Sequence, residues 1–169
     1  KPLIMMAPKS MLRNKLSFSQ LEDFTGGRFL PVLPESDASV QPDNVRRLIL
    51  CSGKVYYDLL AERQQRDIHD IAIVRIERLY PFPYEEVTVQ MEKYSAAEEV
   101  AWVQEEPKNQ GAWIALNSPI RRVLLSNQKI YGITRPASAA PAVGSAKRHK
   151  DEQAALLDAA LSERQLERE

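Results

Sequence analysis

The sequence predicts an α/β protein, a three-layer sandwich in which helices cover both faces of a mostly parallel sheet. Four short apolar runs are rich in β-branched or aromatic residues, and such continuous runs are typical of strands buried on both faces. The segments between successive runs are long enough for crossover helices. The four runs are Leu48 to Cys51, Ile71 to Ile76, Val100 to Gln104 and Ile130 to Ile133.

Amphipathic helices are predicted in the segments that separate and follow the strands. The first three begin after Gly53, Pro83 and Gly111, and each carries apolar residues three or four positions apart. Pro119 should kink or restart the third helix, because proline removes a backbone donor. A last amphipathic segment runs from about Ala146 to Leu161.

We expect three parts along the chain. Residues 1–44 form an irregular segment that joins a preceding domain, and within it 34–44, with repeated Ser, Asp and Pro, forms a surface linker. Residues 45–162 form the α/β domain. Residues 163–169 form a charged tail that we expect to fray.

Two short elements are predicted within the irregular segment. Leu3 to Ala7 has the composition of a further strand. Ser19 is placed to cap a short helix that runs through Phe24, and Gly26-Gly27 would end it. The chain starts at Lys1 and enters an apolar run at once, which favours a piece of a longer protein.

Composition excludes several classes of function. The 23 basic and 23 acidic residues cancel, so the chain lacks the positive field that nucleic-acid binding requires. No apolar run approaches the ~20 residues of a membrane span, and no signal sequence opens the chain. The single Cys51 excludes an internal disulfide and fits a reducing compartment. We therefore expect a cytoplasmic protein without nucleic-acid or membrane partners.

Polar side chains follow the predicted strands, where α/β proteins gather their functional groups. They are Ser52, Lys54, Glu77, Arg78, Glu105, Glu106 and Arg135. The turn Ser52-Gly53-Lys54 could cradle a phosphate, since free N–H groups and the helix dipole favour anions. Neither a full phosphate loop nor a G-x-G-x-x-G fingerprint is present. A structural turn is therefore favoured, and a small nucleotide-dependent enzyme is the alternative.

The other reactive residue types do not assemble into a catalytic or metal site. Cys51 lies in a predicted buried strand with no evident His or Asn partner, which favours a core residue over a nucleophile. His69 and His149 are far apart and supply no metal-ligand set, so both are predicted at the surface. Glu105 and Glu106 could act as acid and base, but ion pairing within the chain or between subunits is favoured because consecutive strand residues point apart.

Five longer strings resemble the carboxy-terminal region of the thiamine-diphosphate-dependent first component of 2-oxoglutarate dehydrogenase. They occur in the family's order and cover nearly the whole chain, except the loop around 35–44 and the charged tail. They are KPLIMMAPKSMLRNK (Lys1–Lys15), LCSGKVYYDL (Leu50–Leu59), DIAIVRIERLYPFP (Asp70–Pro83), WVQEEPKNQGAW (Trp102–Trp113) and RPASAAPAVGSAKRH (Arg135–His149).

The resemblance implies the transketolase-like carboxy-terminal fold, which agrees with the α/β sandwich. It also implies that thiamine diphosphate and Mg²⁺ bind outside this chain, between two preceding domains and across a homodimer interface. There 2-oxoglutarate is decarboxylated, with carbanion chemistry supplied by the cofactor, and a lipoyl group is succinylated in the tricarboxylic acid cycle. The implied partners are the preceding domains, a second subunit, dihydrolipoamide succinyltransferase and dihydrolipoamide dehydrogenase.

For this chain the resemblance implies a structural and regulatory role, with no catalytic, cofactor-binding or metal residue and no activity of its own. Interface residues are expected at Glu105, Glu106, Asn109, Gln110, Trp113 and Arg135. An effector site is implied at Arg28 and Arg78, because actinobacterial relatives bind the activator acetyl-CoA there. Two of their arginines align with Glu85 and Glu86, so we expect weak activation. The same domain of a 2-oxoadipate or other 2-oxo acid dehydrogenase, and a free-standing α/β binding module, remain alternatives.

Overall fold

The computed structural model describes residues 1–4 and 7–166. These residues form the strands β1 (Val32–Leu33), β2 (Arg47–Cys51), β3 (Ile71–Ile76), β4 (Glu99–Pro107) and β5 (Lys129–Arg135). They also form the helices α1 (Leu21–Thr25), α2 (Val55–Gln65), α3 (Tyr84–Lys93), α4 (Trp113–Arg121) and α5 (Ala146–Leu161). Short 3-10 helices cover Lys9–Arg13, Lys15–Ser17 and Pro42–Asn44.

The strands form one sheet in the order β1-β3-β2-β4-β5. β3, β2, β4 and β5 pair in parallel, so the predicted mostly parallel sheet is confirmed. The four predicted apolar runs all lie in these strands. β1 pairs antiparallel with β3, Val32 opposite Ile76. Its two residues are too few for a periodic pattern, so nothing in the sequence signals this edge strand.

The sheet separates two apolar cores, which makes the expected three-layer sandwich. Along β2 the side chains alternate: Leu48 and Leu50 face the core under α3 and α4, whereas Ile49 and Cys51 face the core under α2 and α5. All four are fully buried. Because each buried Leu or Ile contributes roughly 1.5–3 kcal/mol, an uninterrupted apolar strand is stabilised on both faces.

The four longer helices occur where the sequence predicts them, and their ends have local causes. Ser145 caps α5 by accepting a hydrogen bond from the N–H of Arg148. α4 continues only two residues beyond Pro119. The expected cap of α1 was wrong: its N-cap is Gln20, whose N–H donates to Asp23 Oδ2 at 2.9 Å, and not Ser19. Among the described residues, no helix is long and apolar enough to cross a bilayer.

The described residues of 1–30 contribute nothing to either core. Leu3, Ile4 and Ala7 are exposed and lie in no strand, and Met5 and Met6, which complete the predicted strand, lie outside the described residues. The first two 3-10 helices and α1 contain no buried residue. Local hydrogen bonds therefore hold these turns, and their apolar side chains face solvent.

The segment 34–44, expected to be a surface linker, is tied into the domain. The side chains of Glu35 and Arg63 form an ion pair and are 3% and 1% exposed. Val40 is also buried. The division of the chain into three parts remains a prediction, but this segment packs as part of the α/β domain.

The beginning of the carboxy-terminal tail is anchored, contrary to the expected fraying. Arg47, fully buried in β2, donates to Ala160 O at 2.8 Å and to Arg164 O at 2.7 Å. Its Nε donates to Glu99 Oε2 at 2.7 Å, and Glu99 Oε1 accepts from Leu166 N at 2.6 Å. Burial lowers the pKa of Arg47, opposed by Glu99. Residues 167–169 lie outside the described residues.

Candidate functional site

A cleft of about 900 Å³ opens beyond the carboxyl ends of β2 and β4. These strands are neighbours in the sheet, and the helices that follow them, α2 and α4, cover opposite faces. After the adjacent strands β2 and β4 the chain therefore turns towards opposite faces of the sheet. Open α/β sheets bind ligands in the crevice at such a point. The volume lies within the roughly 300–1,000 Å³ of ligand sites. This cleft is the candidate site.

Apolar side chains form the two walls of the cleft. The loop after β3 supplies Tyr80 and Phe82, and α4 supplies Leu116 and Pro119. Phe82 is largely buried and meets Tyr84 edge-on, with ring centroids 5.0 Å apart. Tyr80 is 92% exposed. The loop is therefore held by one aromatic ring while another is left uncovered at the mouth of the cleft.

Lys54 and Glu105 line the polar end of the cleft, and Lys54 also pairs with Asp58. Lys54 Nζ lies 2.6 Å from Asp58 Oδ2 and 2.9 Å from Glu105 Oε2. Burial acts to lower the pKa of Lys54, but the hydrogen bonds to Asp58 and Glu105 outweigh it and leave the pKa above its usual value. Glu105 thus pairs within the chain, which is one of the two kinds of pairing that the sequence left open.

This pairing weighs against a phosphate site at the turn Ser52-Gly53-Lys54. The two carboxylates already outnumber the one ammonium, so an incoming phosphate would meet net negative charge. Glu106, next in sequence, is exposed and lines the same cleft. The cleft therefore joins apolar walls to an acidic end, which suits a cation with an apolar body better than an anion.

Gln104 joins β4 to the loop and helix that follow it, a role that the sequence did not reveal. Its Oε1 accepts hydrogen bonds from Trp102 Nε1 at 2.9 Å and from Trp113 N at 2.8 Å. Its Nε2 donates to Gln110 O at 2.7 Å. A buried amide that satisfies both donors and acceptors in this way specifies one loop geometry. Gln104 thereby positions the second wall of the cleft.

Close packing around this amide requires Gly111. Its φ is +67°, and a Cβ there would lie 2.8 Å from Gln104 Nε2. The Trp113 ring lies over Gly132, where a Cβ would approach it to 2.5 Å. Gly111 therefore allows the loop to approach Gln104 closely, and this contact of Trp113 with Gly132 lies inside the chain.

Arg135, at the end of β5, links α5 to the polar end of the cleft. The residue is buried, and its Nη1 lies 3.1 Å from His149 Nδ1. Its Nη2 donates to Gln153 Oε1 at 2.6 Å. Gln153 Nε2 in turn donates to Asp58 Oδ2 at 2.9 Å, and Asp58 pairs with Lys54. A continuous series of polar contacts therefore runs from α5 to the cleft.

The remaining predicted interface residues also make internal contacts. Asn109 exchanges two hydrogen bonds with the backbone of Ser138, at 2.9 and 3.0 Å. Gln110 Nε2 donates to the same Ser138 O at 3.0 Å. All six predicted interface residues make contacts within the chain, Glu106 through its backbone oxygen, which accepts a hydrogen bond from Gln104 Nε2 at 3.4 Å. A subunit contact at any of the six stays a prediction.

The two predicted effector residues lie near the β1–β3 edge. Pro31 O accepts a hydrogen bond from Arg78 N at 3.1 Å, which brings the segment after Arg28 beside Arg78. Arg28 is exposed. Arg78 Nη2 lies 3.7 Å from Glu86 Oε1, so this arginine already forms an ion pair with a glutamate. An effector site here also stays a prediction.

Cys51 and His69 make contacts that fit structural roles. Cys51 is fully buried, and burial raises the pKa of its thiol. His69 lies at the surface, with Nδ1 2.9 Å from Ser39 Oγ and Nε2 2.9 Å from Asp67 Oδ1. Within 1–4 and 7–166, no three His, Cys, Asp or Glu side chains are grouped so as to hold a metal ion.

The cleft does not fit thiamine diphosphate with Mg²⁺. Such a group needs free oxygen ligands for the metal and a positive cradle for the diphosphate. At the polar end of the cleft, Asp58 and Glu105 are instead bound to Lys54. Nothing in this arrangement offers a diphosphate a favourable field.

Comparison with known proteins identifies what the chain is similar to. Residues 18–161 match the family model described as "2-oxoglutarate dehydrogenase C-terminal". The chain is 51% identical to a protein of Azotobacter vinelandii and 46% identical to one of Cupriavidus necator, covering 96% of this chain in each case. It is 45% identical to a protein of Coxiella burnetii over 95% of its length.

These three relatives are each named "2-oxoglutarate dehydrogenase E1 component". The match covers only 17% of each of them. The chain therefore spans about a sixth of the length of the relatives, although nearly all of it takes part in the match.

Proposed function

The chain belongs to the 2-oxoglutarate dehydrogenase carboxy-terminal family, and from that premise we propose that it is the structural domain of an E1 component. The full-length enzyme would decarboxylate 2-oxoglutarate with thiamine diphosphate and Mg²⁺ bound by other domains. It would then succinylate the lipoyl group of dihydrolipoamide succinyltransferase, as part of the tricarboxylic acid cycle in the cytoplasm. The further partners would be a second subunit and dihydrolipoamide dehydrogenase.

One observation supports a structural role above all: polar groups at the carboxyl ends of the strands are bonded to each other. Lys54 pairs with Asp58 and Glu105, and Arg135 contacts His149 and Gln153. Groups engaged in this way hold helices and loops in place, and a reacting substrate would have to displace those bonds. The domain would therefore supply shape and contact surface to chemistry that takes place elsewhere.

The test compares the full-length protein with the isolated 169-residue chain. With thiamine diphosphate, Mg²⁺ and an artificial electron acceptor, the full-length protein should oxidise 2-oxoglutarate, and the isolated chain should not. Calorimetric titration of the isolated chain with thiamine diphosphate and Mg²⁺ should give no binding heat. Turnover by the isolated chain, or tight binding of the cofactor to it, would refute the proposal.

A substrate panel addresses the alternative within the same family. The full-length protein should prefer 2-oxoglutarate, with five carbons, over 2-oxoadipate, which is one methylene longer. An extra methylene in a fitted pocket changes kcat/KM by roughly 10–200-fold. A reversed preference would assign the chain to a 2-oxoadipate dehydrogenase and leave its structural role unchanged.

A further inference from the structure

The first 30 residues present an apolar surface that nothing in the described part of the chain covers. Seven large side chains among them are more than 60% exposed: Leu3, Ile4, Leu12, Phe18, Leu21, Phe24 and Phe29. The helical turns that carry several of them have no buried residue. Short turns of this kind are marginal in water without packing, and clustered exposed apolar residues mark contact sites.

The cleft continues this surface. Pro8, from the amino-terminal segment, lines the cleft together with Tyr80 of the loop after β3. Tyr80 is 92% exposed, and Leu79 and Tyr84 are each more than a third exposed. One apolar area therefore extends from the amino-terminal turns onto the walls of the cleft.

The acidic end of the cleft indicates the charge of the segment that would bind there. Glu105, Glu106 and Lys54 line this end, so two carboxylates face the cleft with one ammonium, and Lys54 also pairs with Asp58, which does not line the cleft. A covering segment that places a basic side chain beside Glu106 gains charge complementarity. Apolar neighbours of that basic residue would pack against Tyr80 and Tyr84.

The relatives indicate which polypeptide supplies the cover. The family model begins at residue 18, whereas the match to the relatives takes in 95–96% of the chain and covers 17% of each relative. In those proteins the counterpart of residues 1–17 therefore falls mostly outside the carboxy-terminal family model, within one much longer polypeptide. The uncovered surface is carried by residues 1–30, and most of the length of those relatives lies outside the matched part.

We infer that in the full-length enzyme the preceding part of the same polypeptide packs on residues 1–30 and inserts an apolar, basic segment into the cleft. This inference rests on the proposed function, because it requires the chain to be one domain of an E1 component. It adds a specific surface, the occupant of the cleft and the charge of that occupant.

Photo-cross-linking in the full-length enzyme tests the inference. A benzophenone-bearing phenylalanine analogue replaces Tyr80, and after irradiation the products are separated on a denaturing gel and identified by mass spectrometry. The expected product has the mass of a single subunit and joins position 80 to a peptide that precedes Lys1. The matched control carries the analogue at Ala155, which is exposed on α5 beyond the opposite face of the sheet. It should not label that peptide.

Each other outcome overturns the inference. A product of twice the subunit mass would show that a second copy covers the cleft, and a product with another protein would show a different partner. A cross-link within residues 1–169, or none at all, would show that the preceding polypeptide does not lie at Tyr80.

Charge variants in the same assay test the basic segment. Glu106→Lys should lower the cross-link yield at position 80 by about tenfold, because it sets like charges against each other, whereas Glu106→Gln should lower it less. An unchanged yield in Glu106→Lys would refute the basic character of the occupant. Oxidation of 2-oxoglutarate, measured on the same preparations, separates the two proposals: an active enzyme with the wrong cross-link overturns only the docking inference, whereas an inactive unsubstituted enzyme overturns the proposed function.

Discussion

Glu35 and Arg63 form a buried ion pair although they are 28 positions apart in the sequence. Glu35 Oε1 accepts a hydrogen bond from Arg63 Nη2 at 2.9 Å, and the second carboxylate oxygen accepts from Ile73 N at 2.7 Å. A single carboxylate thereby fastens the segment 34–44 to both α2 and β3. We therefore expect removal of this carboxylate to destabilise the whole domain.

Glu35→Ala is expected to lower the free energy of unfolding by about 3–5 kcal/mol, because the buried Arg63 guanidinium keeps only the more distant Asp37, at 3.5 Å, as an acidic partner. Chemical denaturation of the chain measures the change. Glu62→Ala is the control: Glu62 pairs with Arg66 at the surface, and its loss should cost less than about 1 kcal/mol. Equal losses in the two variants would contradict the prediction.

Arg47→Met should destabilise the domain by about 3–5 kcal/mol and release the start of the tail, since Glu99 would lose its buried partner. Hydrogen exchange at the amide of Leu166, which donates to Glu99, should become faster. Arg148→Met removes the pair that the exposed Arg148 side chain forms with Glu152 and should change stability by about 0.5 kcal/mol or less. Unaltered exchange at Leu166 in the Arg47 variant would show that the tail is held by other contacts.

Gly111→Ala should destabilise the chain more than Gly144→Ala does. Both glycines have φ +67°, so each alanine meets the same backbone strain, about 1–2 kcal/mol. A Cβ at 111 would also lie 2.8 Å from Gln104 Nε2, whereas nothing lies within 4 Å of one at 144. Thermal unfolding of the two variants checks the difference. Similar losses would mean that the loop can yield around Gln104.

Cys51 should resist thiol reagents in the folded chain at pH 8. The thiolate is the reacting species, and burial raises the pKa of this fully buried thiol. A coloured disulfide reagent should therefore react slowly without denaturant and with one equivalent of thiol in guanidinium chloride, because the chain has one cysteine. Fast labelling of the native chain would indicate that β2 opens readily.

We predict that the full-length enzyme responds weakly to micromolar acetyl-CoA, because the effector site implied by the resemblance would set Glu85 and Glu86 where relatives carry arginines. Replacing both with arginine should raise the apparent affinity for acetyl-CoA on the order of tenfold. Glu92→Arg, an exposed position on the same helix, is the control for net charge. Strong activation of the unsubstituted enzyme would show that the alignment of the effector residues is wrong.

The sequence by itself determined the elements whose signals are local. Ile71–Ile76 appears as a strand, and Ala146–Leu161 as a helix, because their apolar spacing depends only on neighbours along the chain. Gly53 and Pro83 mark where helices can start, since their backbone preferences are properties of single residues. The five ordered strings also resembled one family, and the match to its family model showed that the chain belongs to it.

Only the tertiary structure decided which distant groups meet. Arg47 and Arg164 are 117 positions apart, Glu35 and Arg63 are 28 positions apart, and no local pattern predicts either contact. The sequence does not distinguish Gln104 from other polar residues at strand ends. Its role depends on the following loop, which folds over it and buries it. The cleft arises in the same way: its walls come from separate strand ends, which become neighbours only once the sheet has formed.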